Sequence, residues 1–251
     1  MLIHGDCLIE LRKLPSRSVD LICTDPPYGD NAVYGRDGRT IVGNATPVLG
    51  FYALEEALRL LKMHRFAIVF LGQKHLPFFD HYIRTYCTAR LRGYVVWNKT
   101  RMGLGYGVRP QHELIAILEK GKPPYRDKNV PSVLTFPRVY SEQHPHKKPA
   151  ELIEFLIEKF STPRQIVLDP FLGSGTTAIA AEKLNRRWIG MEIDAQHVAV
   201  ARAALTRTAV AALPIGRLRR MTGWLFGNPA AVPARAAGSV VPPQNPQKTG
   251  A

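Results

Sequence analysis

A strand–turn–helix–strand pattern in the C-terminal third of the sequence constrains the fold of this chain most. Residues 165–169 form an apolar run with the length of a buried strand, and the turn Gly173-Ser174-Gly175 follows it closely. A helical pattern over residues 176–184 and a second short strand over residues 187–192 complete the unit. Strand, helix and strand in this order place the two strands parallel in one sheet. The stretch therefore predicts an α/β protein.

The same alternation continues along most of the remaining sequence. Apolar runs predict further strands over residues 1–4, 19–23, 66–71, 91–97 and 113–118. Amphipathic spacing predicts helices over residues 7–14, 48–63, 74–87, 149–160 and 195–211. We therefore expect a mixed, mostly parallel sheet with helices on both faces.

Three stretches do not follow this alternation. Residues 29–47 are rich in Gly, Asn, Asp and Arg and predict a long mobile loop. The basic, irregular section of about residues 99–147 predicts an insertion that recognises a target. After residue 212 the composition becomes Pro, Ala, Gly and Arg, which predicts one domain over residues 1–212 and a disordered tail over residues 213–251.

The turn Asp25-Pro26-Pro27-Tyr28 directly follows the predicted strand 19–23. Two successive prolines cannot donate to a sheet ladder, so the strand must end here. An acid, two rigid residues and an aromatic ring are thereby presented at the carboxyl end of a strand, where open α/β sheets bind ligands. A simple strand-ending turn uses the same residue types, and these four residues alone leave that alternative open.

A second carboxylate, Glu192, ends the strand 187–192, about 20 residues after Gly173. This spacing suits an acceptor for ribose hydroxyls, so the C-terminal half predicts a site for a nucleoside-containing cofactor. The dinucleotide fingerprint Gly-x-Gly-x-x-Gly permits Ala in the third position, where this chain has Ala178, so NAD remains an alternative. The preceding Asp169-Pro170-Phe171 does not belong to that fingerprint.

Three motifs together resemble the amino-group DNA methyltransferases: Asp25-Pro26-Pro27-Tyr28, Asp169-Pro170-Phe171-Leu172-Gly173-Ser174-Gly175 and Ile189-Gly190-Met191-Glu192-Ile193-Asp194. Their order, with the catalytic motif first, is similar to the circularly permuted β class. Further matches are Gly5-Asp6-Cys7, Trp97-Asn98-Lys99, His112-Glu113 and His144-Pro145-His146-Lys147-Lys148-Pro149. The resemblance covers about residues 1–208 and implies the Rossmann-like fold of S-adenosylmethionine-dependent methyltransferases.

The resemblance also implies a reaction: methyl transfer from S-adenosylmethionine to the exocyclic amine of a base flipped out of duplex DNA. It implies that the Asp25 carboxylate and the Pro26 carbonyl each accept a hydrogen bond from one N–H of the amine. Pro27 is expected to make the turn rigid, and Tyr28 to stack on the base. The expected base is adenine, modified at N6. Cytosine N4 is the alternative, because relatives that modify cytosine more often carry Ser at the position of Asp25.

The cofactor contacts implied by the resemblance come from both ends of the chain. Asp6 is expected near the adenine, Glu192 at the ribose, Asp169 near the methionine ammonium and Lys148 near its carboxylate. The residues expected to wrap the body of the cofactor are Phe171, Gly173, Ser174, Gly175 and Thr176. Without the resemblance, Asp6 is explained as a helix cap and Lys148 as a surface lysine.

The charge of the chain indicates a polyanionic partner. The formal net charge is +14, and residues 84–138 alone carry 11 Lys and Arg against 3 acids. This favours nucleic acid over an anionic membrane surface, and the resemblance implies that the nucleic acid is double-stranded DNA. The residues expected to contact DNA are Arg36, Arg39, Arg101 and Arg109. We expect no metal site, because His112, His144 and His146 have no Cys partner and no helical i,i+4 spacing.

Other properties are also expectations at this point. Three scattered cysteines and the lack of a signal pattern or long apolar run predict a cytoplasmic protein without a membrane span. The resemblance suggests a homodimer, and the lack of a nuclease motif places any restriction enzyme on a separate chain. One alternative is a DNA-binding relative that has lost catalysis, but we would expect such a protein to lack Asp25 or Tyr28. A second alternative is an NAD-dependent oxidoreductase, which leaves the Asp-Pro-Pro-Tyr turn unexplained.

Overall fold

Strands and helices alternate in the computed structural model, which describes residues 1–27, 33–34, 39–40, 48–103, 106–139 and 147–211. The strands are β1 Leu2–His4, β2 Val19–Thr24, β3 Val33–Tyr34, β4 Arg39–Thr40, β5 Leu61–Leu71, β6 Arg90–Asn98, β7 His112–Lys120, β8 Val133–Thr135, β9 Ile166–Asp169 and β10 Arg187–Glu192. The helices are α1 Cys7–Arg12, α2 Val48–Leu60, α3 Leu76–Tyr86, α4 Ala150–Phe160, α5 Thr176–Lys183 and α6 Ala195–Ala211. A short 3-10 helix, Gln73–His75, precedes α3.

Eight strands form one mixed sheet in the order β1-β10-β9-β2-β5-β7-β6-β8. The first five run parallel to one another, with Leu21 opposite Val167 and Gly190 opposite Asp169. Strand β7 runs antiparallel to both of its neighbours, β5 and β6, whereas β8 is parallel to β6. The predicted α/β class with a mixed, mostly parallel sheet is therefore confirmed.

Helices cover both faces of the sheet, as the sequence predicts. All six residues of β2 are buried, because this strand lies between two helical layers. Ile22 packs in the layer that contains α1, α2 and α3, and its neighbour Leu21 packs in the layer that contains α4 and α5. Helix α6 joins the second layer at Ala201, which packs against Leu172 and Ala178.

The direction of the strands determines where a site can form. Because β1, β10, β9, β2 and β5 are parallel, their carboxyl ends lie along one edge of the sheet, which we call the carboxyl edge. The reversed strand β7 begins at this edge, so its first residues lie beside the last residues of its parallel neighbours. Its opposite end, at Lys120, lies beside the start of the β5–β7 pairing at Arg65.

A buried carboxylate holds the opposite edge of the sheet together. Asp20 accepts a hydrogen bond from Lys62 Nζ at 2.9 Å, a second from Arg65 Nε at 3.4 Å and a third from the Ile166 amide at 3.1 Å. These bonds join β2 to both of its neighbours, β5 and β9. The two cations and the amide lower the pKa of Asp20, although burial alone acts in the opposite direction.

Three predicted elements differ from the structure. Helix α2 ends at Leu60 and β5 begins at Leu61, so the predicted helical end at residues 61–63 is wrong. Within residues 29–47, β3 and β4, of two residues each, pair as an antiparallel hairpin where the sequence predicts only a loop. Within residues 99–147, β7 and β8 belong to the sheet, so the whole section is not an insertion.

Residues 1–209 form one compact unit. The predicted domain boundary at residue 212 and the predicted disorder of residues 213–251 fall at or beyond the end of the described residues, and both stay predictions. Among the described residues, every helix is too short or too polar to cross a bilayer.

Candidate functional site

Four acidic residues that the sequence indicates as site residues lie at or just after the carboxyl ends of four parallel strands. Asp6 follows β1 and Asp25 follows β2, while Asp169 and Glu192 are the last residues of β9 and β10. Since these strands lie side by side with their carboxyl ends together, the four acids lie along the carboxyl edge. The sheet order places Asp25 and Asp169 on adjacent strands, and Glu192 on the strand beyond.

Asp25 lies at the carboxyl edge, just after β2, and 28% of its side chain is exposed. Its Oδ2 atom accepts a hydrogen bond from Lys148 Nζ at 2.5 Å. Pro26 and Pro27 follow without backbone N–H groups, and the chain leaves the sheet there. A Cβ atom at Gly50 of α2 would lie 3.1 Å from the Cβ of Pro26, so glycine lets α2 approach this turn closely.

Lys148 is a buried cation with only 8% of its side chain exposed. Besides Asp25, its ammonium forms an ion pair with Glu113 Oε2 at 3.2 Å and lies 5.2 Å from the centre of the Phe70 ring. Burial lowers the pKa of a lysine, but here the two carboxylates outweigh it and raise the pKa of Lys148 above its ordinary value. The Lys148 side chain is therefore protonated and buried beside Asp25, and it is not the surface lysine that the sequence left as an alternative.

Glu113 reaches this site because β7 is reversed. It is the second residue of β7, and its strand begins at the carboxyl edge. Its other oxygen, Oε1, accepts a hydrogen bond from Lys99 Nζ at 3.3 Å. Burial raises the pKa of Glu113, but the charges of Lys148 and Lys99 outweigh it and hold that pKa below its ordinary value.

Asp169 is a buried carboxylate with few compensating charges. Its Oδ1 atom accepts hydrogen bonds from Thr24 Oγ1 at 2.8 Å and from the Phe171 amide at 3.1 Å. Burial raises the pKa of Asp169 to about 6, although these bonds and one from Thr177 act in the opposite direction, and the nearby Asp25 raises it further. Such perturbed carboxylates are typical of binding and catalytic sites.

The glycine turn, residues 173–175, connects β9 to α5 along this edge. Gly173 and Gly175 have φ angles of 55° and 87°, in the left-handed region that favours glycine. A Cβ at Gly175 would also lie 3.2 Å from the Cβ of Ala201 in α6. The turn therefore requires glycine both for its backbone and for the close packing of α6.

Glu192 fixes the position of this turn. Its Oε2 accepts a hydrogen bond from the Gly173 amide at 2.8 Å, and its Oε1 accepts one from the Asp194 amide at 2.8 Å. Each carboxylate oxygen can accept a second bond, so Glu192 can still receive ligand hydroxyls. The Gly5 amide donates to the carbonyl of Glu192 at 3.0 Å, which brings the neighbouring Asp6 to the same place.

Asp6 acts as the N-cap of α1, and its Oδ1 accepts a hydrogen bond from the Leu8 amide at 2.9 Å. The capping role that the sequence left open is thus present in the structure. A cap uses one of the carboxylate oxygens, so Oδ2 of Asp6 can still accept a bond from a ligand.

One cavity at the carboxyl edge brings together most of the predicted site. Its lining includes residues predicted for catalysis and for the cofactor, namely Asp25, Lys148, Asp169, Phe171, Gly173, Ser174 and Thr176. Glu192 contacts this lining through Gly173, and Asp6 lies next to Glu192 through Gly5. Three further groups lie at the cavity or next to it and had no predicted role, namely Thr24, Thr177 and Glu113. The available signals for Glu113 were the matching pair His112-Glu113 and the position of a charged residue at the start of the apolar run of β7.

The remaining predicted residues lie elsewhere. Tyr28 and Arg36 lie outside the described residues, and Arg39 belongs to β4 of the small hairpin. Arg101 and Arg109 are exposed on the connection between β6 and β7, where Arg109 Nε donates to the Gly103 carbonyl at 2.7 Å. This connection joins the two strands at the carboxyl edge, on the same side of the sheet as Asp25.

Comparison of the sequence with protein families gives a match over most of the chain. The profile of a family described as DNA methylase, N6_N4_Mtase, matches residues 19–203. The chain belongs to this family. Its relatives in Escherichia coli include YubD, described as a methylase, and the DNA adenine methyltransferase YhdJ. YubD is 36% identical over 78% of this chain and 85% of its own length. YhdJ is 31% identical over 78% of this chain and 79% of its own length.

Solved structures of DNA methylases share this fold. The cytosine-N4-specific PvuII DNA methyltransferase aligns with a TM-score of 0.68 and 20% identity, over 80% of this chain and 84% of its own. A DNA modification methylase from Thermus thermophilus in complex with S-adenosylmethionine aligns with a TM-score of 0.64 and 23% identity, over 82% and 93%. S-adenosylmethionine is the methyl donor of the family, and it is the cofactor of this DNA methylase.

Proposed function

We propose that this DNA methylase transfers a methyl group to N6 of adenine in double-stranded DNA, after the base has been flipped out of the helix. The observation that carries the proposal is the position of Asp25. It is held by Lys148 at the carboxyl edge and lines one cavity together with Asp169 and the glycine turn. A hydrogen-bond acceptor for the target amine is thereby adjacent to the expected cofactor site.

The chemistry of the cavity fits the methionyl end of S-adenosylmethionine. That end carries an ammonium and a carboxylate, and the cavity is lined by the buried carboxylate of Asp169 and the buried ammonium of Lys148. We propose that these two groups bind the two charges, that Glu192 binds the ribose and Asp6 the adenine. Phe171, Gly173, Ser174, Gly175 and Thr176 surround the body of the cofactor. When bound, S-adenosylmethionine supplies an electrophilic methyl group on its sulfonium.

The role of the protein at the target base is to prepare a poor nucleophile. The lone pair of an exocyclic amine is conjugated into the ring, so the nitrogen must become pyramidal before it can attack. The Asp25 carboxylate accepts a hydrogen bond from one N–H of the amine, and the Pro26 carbonyl accepts a hydrogen bond from the other N–H. Because Pro26 and Pro27 restrict the backbone, these two acceptors are oriented in advance. Tyr28 stacks on the flipped base, and such stacking is worth roughly 1–3 kcal/mol.

Adenine is favoured over cytosine by the identity of the acid. Asp25 stands where relatives that modify cytosine N4 more often carry Ser. The adenine methyltransferase YhdJ is 31% identical to this chain, which supports the same choice. Cytosine N4 stays the second candidate, since the family includes both activities.

We propose double-stranded DNA as the partner and the basic surface around the carboxyl edge as its contact. The exposed Arg101 and Arg109 lie on the β6–β7 connection at that edge, and Arg39 belongs to β4 of the small hairpin. Arg36 is proposed as a contact from the sequence alone. Arginines in such positions bind phosphates and place the duplex without reading its sequence. A homodimer and a location in the cytoplasm are further expectations, and any restriction enzyme that acts with this protein would be a separate chain.

The test is methyl transfer from labelled S-adenosylmethionine to duplex DNA, with the product nucleosides identified. Asp25→Ala should lower the rate roughly 100- to 1,000-fold, as expected for loss of one oriented polar group, while cofactor affinity changes little. Asp127→Ala is the control, because Asp127 forms a surface ion pair with Lys159 away from the cavity. N4-methylcytosine as the product would select the second candidate. No transfer to any DNA by the wild type, despite tight cofactor binding, would refute the proposal.

A further inference from the structure

Four side chains of alternating charge form a row that ends at Asp25. Lys99 Nζ lies 3.3 Å from Glu113 Oε1, Glu113 Oε2 lies 3.2 Å from Lys148 Nζ, and Lys148 Nζ lies 2.5 Å from Asp25 Oδ2. Three segments far apart in sequence contribute to the row: the β6–β7 pair, the residues before α4 and the turn after β2. Each inner member of the row contacts two opposite charges.

The row exists because of the strand directions. Strand β6 is antiparallel to β7, so Lys99 just after β6 and Glu113 at the start of β7 are neighbours at the carboxyl edge. Backbone bonds fix this pairing further, since the Lys99 amide donates to the Gln111 carbonyl at 2.9 Å. Glu113 is therefore held by a strand in the interior of the sheet and not by a loop.

Lys148 is the member of the row that depends most on its neighbours. Its ammonium is buried between Asp25 and Glu113 over the ring of Phe70. A buried ammonium is unfavourable unless anions compensate it, and Glu113 is one of the two carboxylates that do so. With Glu113 neutral, Lys148 would have Asp25 as its remaining carboxylate partner among these contacts.

We infer that Glu113 is a positioning residue for methyl transfer, which acts by sharing Lys148 with Asp25. With one carboxylate on each side, the ammonium orients the Asp25 carboxylate without forming an exclusive pair with it. The Asp25 carboxylate can then still accept a hydrogen bond from the N–H of the target amine. This inference rests on the proposed role of Asp25. It assigns to Glu113 a part in orienting Asp25, in addition to any effect on the cofactor carboxylate that Lys148 is proposed to bind.

The decisive variant is Glu113→Gln, which has nearly the same shape and lacks the charge. Its matched control is Glu119→Gln on the same strand. Glu119 is a more buried carboxylate, which bonds Arg90 and Tyr125 near the opposite end of β7. Both changes remove one buried carboxylate from β7, so an effect that comes only from weakened packing should appear in both.

Two measurements are made on each protein. The first is the titration of Lys148 in the cofactor-free protein, followed by NMR of ¹³Cε-labelled lysine and assigned with Lys148→Arg. The second is the pH profile of kcat, together with KM for S-adenosylmethionine. Among the described residues, the ion-pair partners of Lys148 include Asp25 and Glu113, with Lys99 behind Glu113, and the titratable groups Asp169, Cys23 and Lys147 line the same cavity. The Glu113 change leaves all the others in place.

In Glu113→Gln, we expect Lys148 to lose its proton at lower pH than in the wild type, because one compensating anion is missing. The kcat should fall roughly tenfold near pH 8, the cost of one charged hydrogen bond, and should decline further toward pH 10. The KM for S-adenosylmethionine should change less than kcat. Glu119→Gln should match the wild type in both measurements, and Glu113→Asp should restore much of the activity at high pH.

Three results would overturn the inference. One is a Glu113→Gln protein with the same Lys148 titration and kcat profile as Glu119→Gln. Another is a change confined to KM for S-adenosylmethionine, which would place Glu113 in cofactor binding. If Glu113→Gln does not fold, an unshifted titration and profile in Glu113→Asp counts equally against it. Failure of the wild type to methylate DNA would instead refute the proposed function, because the NMR titration reports the charge row without any reaction.

Discussion

Replacing Asp169 by Asn should make the cofactor-free protein more stable at neutral pH while weakening its binding of S-adenosylmethionine. Asp169 is buried and has a pKa of about 6, against an ordinary value of 3.8. A tenfold difference in acid dissociation constant corresponds to about 1.4 kcal/mol, so keeping this carboxylate ionised costs the folded state about 3 kcal/mol. Asn has the same shape without that cost.

The hydrogen bonds around Asp169 allow the substitution. The Oδ1 atom that accepts bonds from Thr24 and from the Phe171 amide is retained in Asn. The new amide group carries its own cost of burial, so the net gain should be about 1–3 kcal/mol. For a domain of this size each kcal/mol shifts Tm by roughly 2–4 °C, which a thermal melt resolves easily.

The stability gained in Asp169→Asn should depend on pH. The folded state binds the Asp169 proton more tightly than the unfolded chain does. The free energy of unfolding therefore falls as pH rises from about 4 to about 6, and above pH 6 the loss caused by Asp169 is constant. The advantage of Asp169→Asn should therefore be absent near pH 4 and complete above pH 7. Urea unfolding between pH 4 and pH 8 measures it.

Asp20→Asn is the matched control, because Asp20 is a buried carboxylate on the adjacent strand β2 at the opposite edge. Its cation partners lower its pKa, so the same substitution should destabilise the protein above pH 4. Calorimetry should show that Asp169→Asn binds S-adenosylmethionine roughly 10- to 100-fold more weakly, the value of a charged hydrogen bond. A loss of stability in Asp169→Asn at pH 7.5, or a stability difference that does not vary with pH, would refute the reasoning.

Two further predictions concern stability alone. Gly190→Ala should destabilise the protein by about 1–3 kcal/mol, because its Cβ would lie 2.7 Å from Leu172 Cδ2, whereas Gly93→Ala in β6 meets no atom within 4 Å and should cost little. Equal urea midpoints for the two alanine variants would contradict this. The destabilisation by Asp20→Asn should be about 2–3 kcal/mol at pH 7 and should vanish as pH falls through the lowered pKa, since protonation then breaks the same ion pairs in the wild type. A gap that does not narrow at all as pH falls below 4 in urea unfolding would exclude this cause.

Elements with a single consistent signal could be predicted from the sequence. Helix α6 has the predicted bounds, and β2, β9 and β10 differ from prediction by one residue at most. Leu61 shows where local pattern fails. It continues the helical spacing of Leu54 and Leu58, yet it is equally buried as the first residue of β5. Periodicity cannot separate these two solutions, because both place the side chain in the core.

The candidate site divides in a similar way. Parallel strands bring Asp25, Asp169 and Glu192 to one edge, and this follows from the common direction of the strands, which the sequence pattern indicates. The contact of Glu113 with Lys148 depends on the reversal of β7 and on a chain segment 35 residues away. Neither the direction of one interior strand nor the return path of an irregular segment is encoded locally, so this contact was not predicted.

The sheet order has a consequence for the synthesis of the chain. Strand β1 pairs with β10 and β2 pairs with β9, so each of these two strands leaves the ribosome more than 140 residues before one of its neighbours. A nascent chain ending before residue 166 contains Asp25 but lacks β9 and β10, the strands that flank the site. Pairings of such long range slow folding. Competence to bind the cofactor should therefore arise late, and nascent chains should gain it only once residue 192 has emerged.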